Sequence, residues 1–250
     1  MNDPKSLYFD LLKKCLTGLI YAEAIESSNL QGQSFDEKTR MEGRDWPLVA
    51  HTMIGLKRLD NLQFCIEDVL ARGVPGDLIE AGVWRGGATI FMRAILKAYA
   101  VQNRRVWVAD SFAGLPPPDT EKYPLDAGDR HHEFGELAVA LEEVKSNFER
   151  YGLLDDQVIF LKGWFRETLP SGRIEQLAVI RLDGDMYEST MDALVHLYPK
   201  LSRGGYLIVD DYGAIPACRQ AIHDYREANG IRDEICTIDW TGVYWQRSST

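Results

Sequence analysis

The chain has 250 residues, of which 45% are hydrophobic and 26% charged, a composition typical of one α/β globular domain with additions. The net charge is −10 and Lys and Arg form no cluster, which argues against nucleic acid as a partner because an acidic surface repels phosphate. The sequence starts without a signal peptide, and no apolar run approaches the roughly 18 residues of a membrane span, so a cytoplasmic protein without membrane attachment is expected.

Residues 1–72 are predicted to form a helical extension that carries a polar flap. Asp3 and Pro4 have the order of an N-cap and a first-turn proline. Apolar residues then recur at helical spacing from Leu7 to Ala24, so a helix is expected to begin the extension.

The flap is predicted in the segment 26–47, which is polar and has the composition of a loop. Within it, Ser34 and Glu37 have the spacing of a capping box. Helical periodicity resumes from about Leu48 to Arg72, so a second long helix is expected to end the extension.

Residues 73–250 are predicted to form one compact domain. After a break at Gly73–Gly76, short apolar runs alternate with amphipathic stretches, which is the pattern of a doubly wound, mostly parallel α/β sheet. The last two runs, EICTIDW and GVYWQRS, suit two strands at an antiparallel edge of this sheet. The apolar runs are DLIEAG, VWVADSF, VIFLKGWF, LAVIRLDGD, GYLIVDDY, EICTIDW and GVYWQRS. Helices are expected to begin near residues 87, 189 and 216.

One long segment, residues 113–134, interrupts this alternation and holds four of the ten prolines. Loops of this length within a compact domain are usually lids, binding loops or disordered segments. His131 and His132 lie in it and are candidate acceptor contacts or proton shuttles, although adjacent histidines in a polar loop are commonly solvated.

The four cysteines are far apart in the sequence and form no C-x-x-C pair. This pattern is typical of reduced thiols in a cytosolic protein. They are Cys15, Cys65, Cys218 and Cys236.

A glycine turn after the first predicted strand is a candidate cofactor site. The strand leads through Glu80 to Gly82, where the missing side chain lets a ligand approach the backbone. Asp110 ends the second predicted strand and could bind both hydroxyls of a ribose. These features suit S-adenosylmethionine, NAD or a tight turn without a ligand. Trp84 replaces the second glycine of the dinucleotide fingerprint and would obstruct a pyrophosphate, while Glu80 favours a cationic ligand, so S-adenosylmethionine is preferred.

Two pairs of aspartates follow neighbouring apolar runs. Asp183 and Asp185 follow one run, and Asp210 and Asp211 follow the next. If the two strands are neighbours, the carboxylates converge at one sheet edge, and like charges so close together require a cation or a shared proton. Oxygen ligands without nearby Cys or His favour Mg²⁺, Mn²⁺ or Ca²⁺, which would activate an acceptor hydroxyl. Capping of a helix or turn is the alternative for Asp185 and Asp211.

Other aromatic residues and histidines admit two interpretations. Trp164 either stacks on an adenine or packs in the core. Tyr187 either lines an acceptor pocket or packs at the start of a helix. The remaining histidines fall on predicted helices and are expected to be structural: His51, His196 and His223.

The sequence resembles the macrocin O-methyltransferase (TylF-type) family, whose members methylate deoxysugar hydroxyls in antibiotic biosynthesis. The resemblance covers nearly the whole chain and rests on motifs that occur in the same order. They are LYFDLLKKCLTGLIY, RDWPLVAHTMIGLKRLDNLQ, DLIEAGVWRGGA, VADSFAGLP, LKGWFRETLP, RLDGDMYEST and GGYLIVDDY.

The resemblance implies a class I methyltransferase fold, with a Rossmann-like seven-stranded sheet and an N-terminal helical extension. It implies Asp183, Asp210 and Asp211 as ligands of Mg²⁺ or Mn²⁺ and Asp185 as the general base. It also implies a homodimer or larger homo-oligomer. The S-adenosylmethionine site that it implies comprises Met53, Arg58, Asn61, Glu80, Ala81, Gly82, Val83, Trp84, Asp110, Ser111, Gly163 and Trp164.

The predicted function is methyl transfer from S-adenosylmethionine to a hydroxyl of a small molecule, with a deoxysugar of a glycosylated natural product as the favoured acceptor. A catechol or other phenol is an alternative acceptor, because its paired oxygens also chelate a metal. More distant alternatives are an NAD-dependent oxidoreductase, against which Trp84 argues, and a non-catalytic protein that kept the fold, against which the four aspartates argue.

Overall fold

The computed structural model describes residues 3–22 and 35–248. Within them the chain forms one seven-stranded sheet with helices on both faces, as the alternation of apolar runs predicts. The strands are β1 Asp77–Ala81, β2 Val106–Asp110, β3 Val158–Lys162, β4 Leu177–Leu182, β5 Leu201–Val209, β6 Cys236–Thr237 and β7 Val243–Gln246. The helices are α1 Pro4–Leu16, α2 Glu37–Met41, α3 Gly55–Ala71, α4 Gly87–Ala98, α5 Leu141–Arg150, α6 Phe165–Thr168, α7 Tyr187–Leu197 and α8 Pro216–Ala228.

The strand order across the sheet is β3-β2-β1-β4-β5-β7-β6. Strands β1 to β5 are parallel, whereas β7 is antiparallel to both of its neighbours, which confirms the antiparallel edge expected from the last two apolar runs. The order of strands reverses between β1 and β4. In sheets of this kind, ligands bind beyond the carboxyl ends of the strands at such a reversal.

The sheet separates two apolar layers, because alternate residues of a strand point to opposite faces. Val179 and Ile208 pack in the layer that contains α1, α3, α4 and α5. Ile180 and Leu207 pack in the layer that contains α7 and α8. The sheet is therefore covered on both faces, and polar residues on its strands are buried unless they lie at a strand end.

Helix α1 is shorter than the periodicity predicts. It ends at Leu16, and Gly18 then adopts a left-handed conformation with φ of 69° that stops the helix. A 3₁₀ turn at Leu19–Tyr21 follows. The prediction that this helix continues to Ala24 is therefore wrong as far as the structure describes the segment, which is to residue 22. Ala24 itself lies outside the described residues.

The predicted flap contains a short helix, α2. Its N-cap is Asp36, whose side chain accepts a hydrogen bond from the backbone N–H of Thr39 at 2.7 Å. The predicted capping box had placed the cap at Ser34, which lies outside the described residues. The segment 26–47 is thus not a loop throughout. Asp36 caps the start of a helix that the polar composition of the segment does not predict.

Helix α3 begins at Gly55 rather than near Leu48. The residues before it use their backbone groups elsewhere, since the N–H groups of His51 and Thr52 both donate to the carbonyl of Leu16. These bonds tie the entry of α3 to the end of α1. The prediction that His51 lies on a helix is therefore wrong.

Helix α5 was not predicted from the sequence. It is mostly charged, and its buried side is formed by Val144, Asn147 and Phe148. The four cysteines are free, as expected. Among the described residues, no helix has both the length and the apolar character to cross a membrane.

Candidate active site

A cavity of about 300 Å³ lies beyond the carboxyl ends of β1, β2, β4 and β5, where the strand order reverses. A volume of this size is typical of small-molecule sites. The predicted site residues that line it are Met53, Arg58, Glu80, Gly82, Val83, Trp84, Asp110, Ser111, His131, Gly163, Trp164, Asp183, Asp185, Asp210 and Asp211.

Four predicted site residues lie outside the lining. Ala81 is buried in the layer of α7 and α8. Asn61 lies along α3, and the Nδ1 atom of His132 is buried without a hydrogen-bond partner among the described residues. The hydroxyl of Tyr187 donates to Asp224 at 2.9 Å, so this side chain packs at the start of α7.

Glu80 is the buried carboxylate at the end of β1 and is only 2% exposed. Its Oε1 atom accepts a hydrogen bond from Arg181, whereas Oε2 has no partner among the described residues. Burial raises the pKa of Glu80 to about 8. A buried acceptor without a partner is unfavourable. This oxygen therefore fits a ligand that brings a positively charged donor, such as the ammonium group of S-adenosylmethionine.

The turn after β1 is held close to β4 and β2. Gly82 has φ of +88°, and a Cβ atom on it would lie 1.7 Å from the carbonyl oxygen of Asp183. Asp110 at the end of β2 accepts from the backbone N–H of Val83 at 2.8 Å and of Phe112 at 2.7 Å. These contacts fix the position of the Asp110 carboxylate at the cavity wall.

The indole of Trp84 is held in place at the cavity wall. Its Nε1 atom donates to the carbonyl of Glu136 at 2.8 Å, and the guanidinium of Arg85 lies 4.2 Å from its ring centre. The backbone of Trp84 is left-handed, with φ of 46°. The indole therefore forms part of the wall and connects the glycine turn with the segment that follows the long loop.

Asp183, Asp210 and Asp211 form an acidic cluster at the ends of β4 and β5. One carboxylate oxygen of each lies within 4.8 Å of the others. Asp210 and Asp211 are buried and Asp183 is partly buried. Asp211 also accepts from the backbone N–H of Asp185 at 3.0 Å, which fixes the left-handed backbone of Asp185, with φ of 56°.

Arg181 connects this acidic cluster with Glu80 and was not predicted as a site residue. Its guanidinium donates to Asp183 at 2.7 Å and also to Glu80 and Asp210. The alternation along a strand explains the first contact, because residue 183 directly follows β4 and is two residues from Arg181, on the same side of the sheet. A single arginine inside the apolar run LAVIRL was the sequence signal that could have identified it.

Arg58 holds the acidic cluster from the opposite side. It extends from α3, which packs on β4 and β5, and donates to the second oxygen of Asp210. It also donates to Asp239 at 3.0 Å and to the carbonyl of Gly43 at 2.9 Å. Arg58 thus joins the N-terminal segment, the sheet edge and the turn between β6 and β7.

The cavity wall carries more negative than positive charge. Nine carboxyl groups line it but only three guanidinium groups, those of Arg44, Arg58 and Arg166. Burial and mutual repulsion raise the pKa values of three of the carboxyl groups. An all-oxygen set that converges and carries excess negative charge fits a hard divalent cation. The nine carboxyl groups are those of Asp45, Glu80, Asp110, Asp183, Asp185, Glu188, Asp192, Asp210 and Asp211.

The long loop, residues 113–134, docks on the start of α7 through a buried aspartate. The carboxylate of Asp126 accepts from the backbone N–H groups of Tyr187 at 2.7 Å and Glu188 at 3.0 Å. It therefore caps α7 from a distant part of the sequence. This loop, which we call the lid, contributes His131 to the cavity wall.

Two further tryptophans close the rim of the cavity. Trp46 packs edge-on against Phe134, with ring centres 5.6 Å apart. Trp240, in the turn between β6 and β7, donates to the carbonyl of Glu42 at 2.9 Å. The segment before α3 is thus attached to the lid on one side and to the C-terminal strands on the other.

Comparison with known proteins relates this architecture to one family. A family model described as macrocin-O-methyltransferase (TylF) matches residues 5–247. A Streptomyces olivaceus protein, 8-demethyl-8-(2,3-dimethoxy-alpha-L-rhamnosyl)-tetracenomycin-C 4'-O-methyltransferase, is 59% identical over 99% of this chain and 95% of its own length. Mycinamicin III 3''-O-methyltransferase of Micromonospora griseorubida is 55% identical over 97% of each chain. The solved structure of the O-methyltransferase NovP matches with a TM-score of 0.93 and 53% identity, over 97% of this chain and 99% of that one.

Proposed function

Because this chain belongs to the macrocin O-methyltransferase (TylF) family and is an S-adenosylmethionine-dependent O-methyltransferase, we propose that it methylates a deoxysugar hydroxyl of a glycosylated natural product. One observation supports this most strongly: Glu80, Asp110 and the acidic cluster all border a single cavity. The two relatives are named for glycosylated acceptors. Their names favour a sugar over a catechol as the acceptor.

In this proposal the methyl donor binds at the ends of β1 and β2. Glu80 holds its ammonium group through the Oε2 atom, which has no other partner in the described part of the chain. Asp110 holds the ribose hydroxyls, and Gly163 and Trp164 flank the adenine where the chain leaves β3. Met53 and Arg58 close the cavity from the N-terminal side.

The acidic cluster is the proposed binding site of Mg²⁺ or Mn²⁺. Asp183, Asp210 and Asp211 supply the ligand oxygens, and the excess negative charge of the wall supports a cation there. When bound, such an ion lowers the pKa of a hydroxyl that it coordinates. Arg58 and Arg181 fix the direction of the Asp210 carboxylate through one hydrogen bond to each oxygen.

Asp185 is the proposed general base for the acceptor hydroxyl. Its backbone N–H is bound to Asp211, so its carboxylate has a defined place beside the acidic cluster. Burial raises its pKa above the ordinary value, toward the range in which a carboxylate is an effective base. The acceptor therefore occupies the space between Asp185 and the lid.

A homo-oligomer is part of the same proposal. Leu7 and Leu11 are one helical turn apart on α1 and are 55% and 52% exposed. An exposed apolar stripe on a helix is suited to burial against a second copy. Light scattering during size-exclusion chromatography tests this, and a monomer at every concentration would contradict it.

The acceptor class is tested with purified enzyme and S-adenosylmethionine. The probes are the rhamnosyl tetracenomycin for which the 59% identical relative is named, mycinamicin III, free L-rhamnose and catechol. We expect one of the two glycosides to gain a methyl group with the highest kcat/KM, detected by mass spectrometry and by release of S-adenosylhomocysteine. The variant Asp185→Asn controls for uncatalysed transfer. A higher kcat/KM for catechol than for both glycosides would overturn the proposal.

A further inference from the structure

The backbone at Asp185 forms a strained turn between β4 and α7. The N–H of Met186 donates to the carbonyl of Gly184 at 2.6 Å, which closes a three-residue turn with Asp185 at its centre. Asp185 has φ of 56°, a left-handed value that residues other than glycine rarely adopt and that makes this form of γ-turn uncommon. Such a turn persists only where the surrounding contacts hold it. The position of the Asp185 carboxylate therefore depends on what holds the residues on either side.

One carboxylate holds each side of this turn. On the strand side, Asp211 accepts a hydrogen bond from the N–H of Asp185 at 3.0 Å. On the helix side, Asp126 accepts from the N–H groups of Tyr187 at 2.7 Å and Glu188 at 3.0 Å, which are the first two residues of α7. The strained turn is thus fixed at one end by the sheet edge and at the other end by the lid.

Helix α7 has no cap of its own at this end. Its N-cap residue is Met186, whose side chain makes no capping hydrogen bond, so the first N–H groups need an acceptor from elsewhere. Asp126 supplies this acceptor with both of its carboxylate oxygens. Of residues 113–134, all of which the structure describes, Asp126 alone is buried. The docking of the lid and the start of α7 therefore depend on the same carboxylate.

We propose that Asp126 is a positioning residue for methyl transfer, which holds the Asp185 carboxylate at the acceptor by fixing the start of α7. The inference rests on the proposed function, in which Asp185 is the general base. Without the Asp126 carboxylate the turn keeps only one of its two supports, and the strain at Asp185 is relieved by a shift of the backbone. A misplacement of about 1 Å can cost about 100-fold in rate. The residues proposed to bind the donor and the metal all lie outside α7, so both ligands should still bind.

The first test asks whether Asp126 holds the turn, and it requires no turnover. Hydrogen–deuterium exchange is measured by mass spectrometry in peptides that cover residues 184–190. We expect exchange there to be about fivefold or more faster in Asp126→Ala than in the wild type, because two N–H groups lose their acceptor. Equal exchange in the two proteins would overturn the proposal.

The matched control for this substitution is Asp119→Ala. Asp119 is an exposed aspartate of the same lid, and its side chain accepts from the backbone N–H of Lys122 at 3.1 Å, within its own turn. Exchange in residues 184–190 should therefore stay at the wild-type rate in Asp119→Ala. Equal acceleration in Asp119→Ala and Asp126→Ala would show a general loosening of the lid and would contradict a specific role of Asp126.

The second test asks whether the held turn matters for the chemical step. With saturating rhamnosyl tetracenomycin or mycinamicin III, we expect Asp126→Ala to lower kcat by about 10- to 100-fold. Asp126→Asn keeps one acceptor oxygen and should lose less, and Asp119→Ala should keep the wild-type kcat. Calorimetry should give unchanged affinities for S-adenosylhomocysteine and Mn²⁺, which shows that the variants are folded. A higher KM for the acceptor with an unchanged kcat would overturn the positioning role.

The third test asks whether Asp126 acts through Asp185. In single turnovers with excess enzyme, the double variant Asp126→Ala/Asp185→Asn should transfer the methyl group at the rate of Asp185→Asn alone, because a base that is absent cannot be misplaced. Multiplied losses would overturn the proposal. If Asp185→Asn keeps the wild-type rate, the proposed base is wrong and the positioning role is wrong with it. If the wild type methylates neither glycoside, the proposed acceptor class is wrong, and the exchange measurement still decides whether Asp126 holds the turn.

Discussion

Arg181 lies directly opposite Glu80 in the parallel pairing of β4 with β1, and its guanidinium donates a hydrogen bond to the Glu80 carboxylate. The two residues are 1% and 2% exposed. Arg181 also pairs with Asp183 and Asp210, so its removal would leave buried carboxylates without a cationic partner. The loss is typically about 3–5 kcal/mol.

We therefore expect Arg181→Met to lower the free energy of unfolding by about 3–5 kcal/mol in denaturant titrations. Lys162→Met is the matched control, since Lys162 is exposed at the end of β3, and its effect should stay within about 0.5 kcal/mol. A loss below about 1 kcal/mol for Arg181→Met would show that the guanidinium is not needed to hold these carboxylates.

If the acidic cluster binds a divalent ion as proposed, exhaustive chelation should abolish methyl transfer, and added Mg²⁺ should restore it. Asp183→Asn and Asp211→Asn should lose binding of Mn²⁺ to the enzyme alone, measured by calorimetry or electron paramagnetic resonance. Asp192→Asn is the control, because Asp192 lines the cavity but is not part of the acidic cluster. Full activity after exhaustive chelation, or unchanged Mn²⁺ binding in Asp183→Asn, would refute the proposed metal site.

Binding of S-adenosylhomocysteine should become tighter as the pH rises toward 8. Burial raises the pKa of Glu80 to about 8, so the carboxyl group of the free enzyme is largely protonated at neutral pH. In the proposed site the ionised form of Glu80 binds the ammonium group of the ligand, so the complex should release a proton. Calorimetry in buffers of different ionisation enthalpy measures this release. It should disappear in Glu80→Gln and persist in Glu188→Gln, and a pH-independent affinity in the wild type would contradict the role of Glu80.

Gly82→Ala should be more damaging than a matched glycine substitution elsewhere. Gly82 and Gly128 have nearly equal φ values of +88° and +89°, but only at Gly82 would a Cβ collide, 1.7 Å from the Asp183 carbonyl oxygen. Gly128→Ala should cost about 1 kcal/mol from backbone strain alone. Gly82→Ala should cost about 1–3 kcal/mol more and weaken S-adenosylhomocysteine binding. Equal losses in the two variants would show that the contact with Asp183 is not needed.

His51 should destabilise the fold as the pH falls. Burial, helped by the charges of Arg150 and Arg85, lowers its pKa from 6.5 to about 4. Between these values the unfolded chain binds a proton that the folded chain does not, so stability is lost as the pH falls through this window. After allowance for solvent screening at a partly exposed ring, the loss is about 1–2 kcal/mol. The difference in free energy of unfolding between the wild type and His51→Gln should change across this pH window. A constant difference would show that folding does not lower the pKa of His51.

The sheet was predictable because its strands are covered on both faces. Continuous apolar runs such as VWVAD and LAVIRL can only be buried strands or short buried helices, and the alternation with amphipathic helices resolves the ambiguity. The place of the aspartates followed from the same pattern, since each pair comes directly after such a run. Helix α5 escaped prediction because its buried side is formed by few residues within a charged segment.

The lid contacts could not be derived from periodicity. Asp126 caps a helix that begins 61 residues later, and Asp129 bonds to a histidine in a 3₁₀ turn. Neither contact repeats along the chain, so no local pattern marks it. Arg58 was identified only through the family resemblance, because the sequence contains nothing that links it to Asp239, which lies 181 positions away.

The partners of Arg58 also determine when the site can form during synthesis. Arg58 leaves the ribosome long before Asp210 and Asp239, which follow it by 152 and 181 residues. Contacts over such sequence distances form late, because the loop must close before the contact can contribute stability. A nascent chain that already has β1 and β2 still lacks the carboxylates that fix this arginine. Catalytic competence therefore arises only when the C-terminal strands have joined the sheet.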